Sequence, residues 1–334
     1  MAAIKFGVIY NARNPAETLR SVQIADSANM WLAGTYDSHF LWQEPWIHYA
    51  TWAISTRNIH IGPFVTNPLT RHITVTASAA ATLSVVSQNR AFIGLGRGDS
   101  AVRTMKKSPA SLDVLESSIQ RLRRLTSGEP VLIDGAEVRI PWANERVPIY
   151  VAAYGPKALE LAGRVGDGVI LQIADPQVIK WSLERVRRGA KAIGRKLENF
   201  EVISASAWCI DSDITRARKE TKWFPAMVSN HAIDLLAKYP REELPESLVK
   251  GMERRGGYDY WEHARKDAHH LDFVTDEMID QFSVIGSVSS VLQRIEELRS
   301  VGVTAAVAYL LGDDYENQTS QMAKKVVSFF DREK

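Results

Sequence analysis

Short β-branched runs alternate along the whole chain with longer segments whose apolar residues recur three and four positions apart. That alternation is the pattern of repeated strand–helix units around a parallel sheet. It predicts strands over 5–9, 31–35, 59–62, 91–95, 149–152, 168–172, 201–209 and 304–309. Ile179, Leu183, Val186, Ala190 and Ile193 mark one amphipathic helix, and Val288, Val291, Leu292, Ile295 and Leu298 mark another. Eight strands in 334 residues favour an α/β fold of the closed (β/α)8 TIM-barrel type, which typically needs about 250 residues and takes the surplus as insertions. The rhythm breaks from about 215 to 281, through Trp223-Phe224-Pro225 and Gly256-Gly257-Tyr258-Asp259-Tyr260-Trp261. This stretch is predicted to be an insertion after strand 7 of a single domain spanning 1–334, placed to cap the rim or to form a subunit contact.

The rival architecture, an open doubly wound sheet, predicts a glycine-rich fingerprint after the first strand. Val8-Ile9-Tyr10-Asn11-Ala12-Arg13 contains no glycine, and Gly94-Leu95-Gly96-Arg97-Gly98 has the wrong spacing and follows the fourth strand. The signatures of P-loop nucleotide hydrolases, zinc proteases and serine hydrolases do not occur.

Composition narrows the picture further. The 41 basic and 39 acidic residues nearly cancel, and the basic ones form no stripe, which argues against a nucleic-acid partner. One cysteine, Cys209, forbids an internal disulfide and points to a reducing compartment, so cytoplasm is the expected location. No apolar run approaches the roughly 18 residues of a membrane span. His263, His269 and His270, even with Asp267 and Asp272, match no familiar metal-site spacing, so no metal is expected.

Barrels carry their chemistry at the C-terminal ends of strands. Strand two is followed by Tyr36-Asp37-Ser38-His39-Phe40-Leu41-Trp42-Gln43-Glu44-Pro45-Trp46, strand three by Phe64-Val65-Thr66-Asn67-Pro68, and strand four by Arg97-Gly98-Asp99. Strand five is followed by Ala153-Tyr154-Gly155-Pro156-Lys157. A Gly-Pro pair opening a helix leaves amides facing outward at the positive end of the dipole, and Lys157 adds charge. The segment reads either as a phosphate site or as an ordinary strand-to-helix turn.

The blocks Ile61 to Pro68 with Thr70-Arg71-His72, Thr76 to Ala79 leading to Ala81-Thr82-Leu83, Ile93 to Asp99, and Gly155 to Gly163 with Gly166 to Val169 resemble the bacterial luciferase-like superfamily of flavin and deazaflavin oxidoreductases. Within it they are most similar to the branch that includes methylenetetrahydromethanopterin reductase. The resemblance implies a (β/α)8 barrel with an insertion after strand seven and a cofactor at the C-terminal rim. It implies a phosphate on Gly155, Pro156 and Lys157, a ring near a bulge at Phe64-Val65 with a non-prolyl cis peptide, and polar contacts from Thr66, Asn67, Arg97 and Asp99. Ala153, Tyr154 and Gln172 complete the expected cofactor contacts. His39 matches the histidine of the family's Asp-His pair and is expected to be catalytic, although Ser38 replaces the aspartate and Asp37 lies one position early.

Two chemistries follow from the resemblance. The favoured expectation is a monooxygenase in which reduced FMN and oxygen oxygenate a small organic substrate, with Trp42, Trp46, Trp208 and Trp223 walling the substrate and a separate flavin reductase as partner. The alternative is hydride transfer with the deazaflavin coenzyme F420. A non-catalytic flavin-binding subunit is a third reading, and a homodimer is implied by the family alone.

Overall fold

The computed structural model describes residues 3–312 and 314–332. Its strands are β1 (Lys5–Tyr10), β2 (Leu32–Thr35), β3 (His60–Pro63), β4 (Ile93–Leu95), β5 (Val131–Ile133), β6 (Ala136–Val138), β7 (Ile149–Ala152), β8 (Gly168–Leu171), β9 (Glu201–Ile210), β10 (Val284–Gly286) and β11 (Ala305–Tyr309). Eight of them run parallel in the order β3-β2-β1-β11-β9-β8-β7-β4. The two ends of that order meet through isolated bridges joining Ile61 to Ala91 and Thr66 to Leu95, which completes the barrel predicted from the alternation. This seam requires close backbone approach: a Cβ on Gly62 would lie 2.0 Å from the Phe92 carbonyl oxygen, so only glycine fits there.

Helices cover the outside of the barrel, so its strands are buried on both faces and read as continuous apolar runs rather than alternations. Gly-Val-Ile-Leu of β8 is buried throughout. Four helices start at a proline, at Pro15, Pro45, Pro156 and Pro176, where the missing N–H would be unpaired in any case. Asn14 and Asp175 each cap two amides and Glu44 caps one, whereas Gly155 has no side chain to offer. The helix Pro176–Ala192 buries Ile179, Leu183, Val186 and Ala190 as the stripe predicted. Ile193 does not join them, because it is the C-cap residue and is exposed.

Two features have no counterpart in the predicted pattern. Asp134 and Gly135, both at positive φ, turn the small antiparallel hairpin of β5 and β6. The Asp-Gly pair between apolar runs is the sequence signal for it. A ninth parallel strand, β10, pairs Val284 with Trp208 at the far end of β9. Between β9 and β10 the chain forms the helices Ile214–Thr221, Trp223–Leu236 and Asp276–Phe282 and several short turns. Arg218, at 2.9 Å from Asp276 and 2.5 Å from Asp280, ties the first of these helices to the last. The segment therefore returns to the rim of the barrel.

Candidate active site

The C-terminal ends of five strands open into one cavity. Its floor holds Tyr36, Asp37 and Ser38 after β2, Phe64 to Asn67 after β3, and Gly96 to Ser100 after β4. Ala153, Tyr154 and Gly155 after β7 and Gln172 after β8 complete it. The roof comes from the segment after β9 and includes Met227, His231, Asp234, Lys238, Tyr239 and His263.

At the innermost point the Phe64–Val65 peptide is cis. Thr66 then rejoins the sheet, its amide donating to the Gly94 carbonyl at 2.9 Å and its carbonyl accepting from the Gly96 amide at 2.9 Å. Its hydroxyl donates to Asp37 Oδ2 at 2.7 Å. Asp37 is buried, and Arg71 approaches the same oxygen at 3.4 Å while also bonding Glu44 at 2.5 Å. The other oxygen, Asp37 Oδ1, is buried without a partner. Two carboxylates thus share one guanidinium beside the floor.

Other wall residues are held by their own loops. Asn67 Oδ1 accepts from the amides of Leu69 and Thr70 at 2.9 and 3.1 Å, a side-chain-closed turn. Arg97 donates from Nε to the Ala110 carbonyl at 2.5 Å. Asp99 pairs with Arg103 at 3.0 Å, and Arg103 also pairs with Asp234, so the floor is joined to the roof through one guanidinium. The Tyr154 hydroxyl donates to Gln172 Oε1 at 3.1 Å, and Gln172 Nε2 donates to the Tyr309 hydroxyl at 2.7 Å. The Tyr154 ring stacks on His231 with centroids 4.0 Å apart and planes 18° apart. Burial raises the Tyr154 phenol and lowers the His231 imidazole, which keeps both neutral near pH 7.

Gly155 sits where the roof meets the helix Pro156–Val165. No side chain caps this helix, and a Cβ on Gly155 would stand 2.8 Å from Leu235 Cδ2. The first-turn amides are therefore available at the positive end of the dipole, beside the cavity. Lys157 is exposed and, like Pro156, stands outside the cavity wall, whereas Lys238 of the roof belongs to it.

The structure also separates residues that the sequence grouped together. His39 is exposed, with its ring 4.2 Å from that of Phe40, and is not part of the wall. The cause is a turn closed on Ser38: its carbonyl accepts the amides of Leu41 and Trp42 at 2.9 and 3.0 Å, and its hydroxyl bonds that of Ser100 at 2.6 Å. Asp37 and Ser38 consequently face inward and His39 outward.

The four tryptophans are also outside the wall. Trp208 and Trp223 are core residues, Trp223 lying edge-on to Phe224 and Tyr309, and Trp42 and Trp46 are half-buried against the core. Conversely, Arg103, His231, Asp234, Lys238, Tyr239 and His263 join the wall without having been expected there. The four-residue spacing of Asp99 and Arg103 is a readable pairing signal, but the roof residues lie in a stretch without periodicity. Among the described residues no group of three His, Cys, Asp or Glu could hold a metal ion, and no helix is long and apolar enough to cross a membrane.

The luciferase-like monooxygenase family model matches residues 2–305, and the chain belongs to that family. It is an oxidoreductase. The 5,10-methylenetetrahydromethanopterin reductase of Methanolobus tindarius is 29% identical over 310 residues, covering 90% of this chain and 91% of that protein. The reductase of the same name from Archaeoglobus fulgidus is 30% identical over 293 residues, covering 82% and 84%. Among solved structures, the coenzyme F420-dependent tetrahydromethanopterin reductase of Methanopyrus kandleri superposes with a TM-score of 0.75 at 24% identity, over 98% of this chain and all of that one. These relatives overturn the expectation of an FMN-dependent monooxygenase, because curated relatives matched over 70–99% of the chain are methylenetetrahydromethanopterin reductases and an F420-dependent dehydrogenase. The separate flavin reductase was expected only on that reading and goes with it.

Proposed function

We propose that this protein transfers hydride between the deazaflavin coenzyme F420 and a small organic substrate. The observation that carries the reading is the nearly full-length similarity to methylenetetrahydromethanopterin reductases. The residues fit such a group. The uncapped helix start at Gly155, with Lys238 in the wall, suits an anionic tail, while the floor at Phe64 to Thr66 and the partnerless Asp37 Oδ1 suit a flat, N–H-bearing head.

When bound, the deazaflavin supplies a two-electron hydride donor or acceptor. The chain's contribution is placement. The amides after Gly155 would bind the anionic end, Thr66 and Asp37 would orient the inner end, and the roof helix Trp223–Leu236 would cover the bound group. Binding is tested by titrating the protein with F420 and with FMN and following absorbance and fluorescence. Turnover is then tested with methylenetetrahydromethanopterin, glucose 6-phosphate and a secondary alcohol. Tight binding of F420 over FMN is expected, and no binding of F420 in either redox state would overturn the reading.

The helix start can be tested directly. Gly155→Asp sets a carboxylate among the amides and against Leu235, so F420 affinity is expected to fall by about 30-fold or more. Lys157→Ala, at an exposed position outside the wall, is expected to change it by only about twofold.

We further propose that two copies of the chain associate. What supports this is an apolar face on neighbouring helices: Ile47 and Ile54 of Pro45–Ser55 are 65% and 75% exposed, and Val75 and Val85 of Ile73–Val86 are 55% and 60% exposed. Sedimentation velocity is expected to find a dimer for the native chain and a monomer for Ile54→Lys. A dimer that persists in the variant would place the contact elsewhere.

A further inference from the structure

His263 is the buried imidazole of the cavity wall that is not stacked on a floor residue. It is 7% exposed, and it reaches the cavity from the segment after β9, far in sequence from the strand ends that build the floor. Its Nδ1 lies 3.0 Å from the Tyr258 hydroxyl. The strap carrying both residues is anchored on either side. Arg255 donates to Asn230 Oδ1 at 2.5 Å and lies 4.8 Å from the centre of the Tyr258 ring, while Arg103 lies 5.7 Å from the centre of the Tyr260 ring. Tyr258 and His270 also meet, with ring centroids 4.0 Å apart. The imidazole is thus held in one orientation, with Nδ1 engaged and its remaining exposure on the cavity.

We propose that His263 is a substrate-contacting residue: the Tyr258 hydroxyl donates to Nδ1, which fixes the ring N–H at Nε2, and Nε2 donates a hydrogen bond to the acceptor atom of the substrate's reacting double bond. The proposal rests on the hydride-transfer reading above and gives it a substrate class, an uncharged polar C=O or C=N group.

The chemistry of the pair supports these roles. Burial raises the Tyr258 phenol, so it remains a hydroxyl able to donate. Burial also pushes His263 down to about 4, so the ring works as a neutral donor rather than as an imidazolium. A neutral imidazole polarises a carbonyl without incurring the desolvation of a buried cation. With a reduced deazaflavin bound as hydride donor, hydride addition to the carbon would move the π pair of the double bond onto the heteroatom, which would then take a proton from water. His263 stabilises the developing charge and is not itself consumed.

Three variants test the assignment, with F420 affinity and thermal unfolding measured on each to show that the site is intact. His263→Ala is expected to lose about 30- to 100-fold in kcat, with F420 binding within about twofold of the native protein. His263→Gln, which keeps a neutral N–H donor, is expected to recover most of that loss. Tyr258→Phe removes the hydroxyl that sets the tautomer and is expected to cost about 10-fold in kcat.

A readout independent of turnover is the ¹⁵N spectrum of labelled histidines in the cofactor-free protein. It is expected to show His263 neutral and protonated at Nε2 at pH 6, with that preference lost in Tyr258→Phe. An ordinary titration of His263 near pH 6.5, protonation at Nδ1, or full kcat in His263→Ala would each overturn the proposal. Failure of the native protein to bind F420 would instead overturn the hydride-transfer reading, and the ¹⁵N result still decides the state of His263.

Discussion

Asp37→Ala is expected to cost about 3 kcal/mol of folding stability, because it breaks a buried charged cluster from one side. Asp37 is almost wholly buried, and its Oδ2 holds both the Thr66 hydroxyl and the Arg71 guanidinium. Truncation leaves that hydroxyl without its acceptor and leaves Arg71, itself largely buried, with Glu44 alone. Each loss exceeds the net value of the bond, since the orphaned partner cannot recover water. Asp37→Asn, which keeps an oxygen for Thr66 but removes the charge, is expected to fall between the native protein and the alanine variant. Urea unfolding of the three proteins checks the order. A change below about 1 kcal/mol for Asp37→Ala would mean that the cluster does not hold the floor together. The same variant is also expected to weaken F420 binding, because it removes a partnerless buried oxygen of the cavity floor.

Stability is expected to fall by roughly 3 kcal/mol as pH drops from about 6.5 to about 4, through His263. Its imidazole has an ordinary value of 6.5 in the unfolded chain and is lowered to about 4 in the folded protein, principally by burial, with His231 and His270 adding to the shift and Asp99 opposing it. Within that window the unfolded state binds one more proton than the folded one, so stability rises with pH. The contribution is complete above pH 6.5, is lost as pH falls, and changes no further below about 4. His231, also lowered chiefly by burial, acts in the same direction. His263→Gln removes the group and should flatten this part of the curve. Unfolding free energies of the two proteins at pH 7 and pH 4.5 provide the measurement, and parallel curves would rule out His263 as the source.

Much of the floor of the site is legible in the sequence, because barrel chemistry sits at strand ends and strand ends can be read from hydrophobic rhythm. Thr66, Asn67, Arg97, Asp99, Ala153, Tyr154, Gly155 and Gln172 all lie in the wall. The roof is not legible, because the stretch from about 215 to 281 has no periodicity and its contacts, such as Arg103 with Asp234, cross more than a hundred residues. His39 shows the limit most clearly. A turn on Ser38 reverses which neighbour faces inward, and a hydrogen bond to Ser100, 62 residues away, holds that turn. The choice between FMN and deazaflavin is equally out of reach of the sequence motifs, since either ring would use a similar floor and helix start.

Local sequence is enough to set the eight-stranded barrel, the prolines that begin its helices, and the glycine that leaves the start of one of them without a side-chain cap. These depend on periodicity, fixed φ and absent side chains, which are properties of short stretches of chain. Packing in three dimensions settles the rest: that Asp37 faces the cavity in place of His39, that the tryptophans serve the core, and that His263 arrives from a distant strap to close the wall. Those outcomes turn on which groups surrender water together, and residues remote in the chain become neighbours only when the barrel has closed.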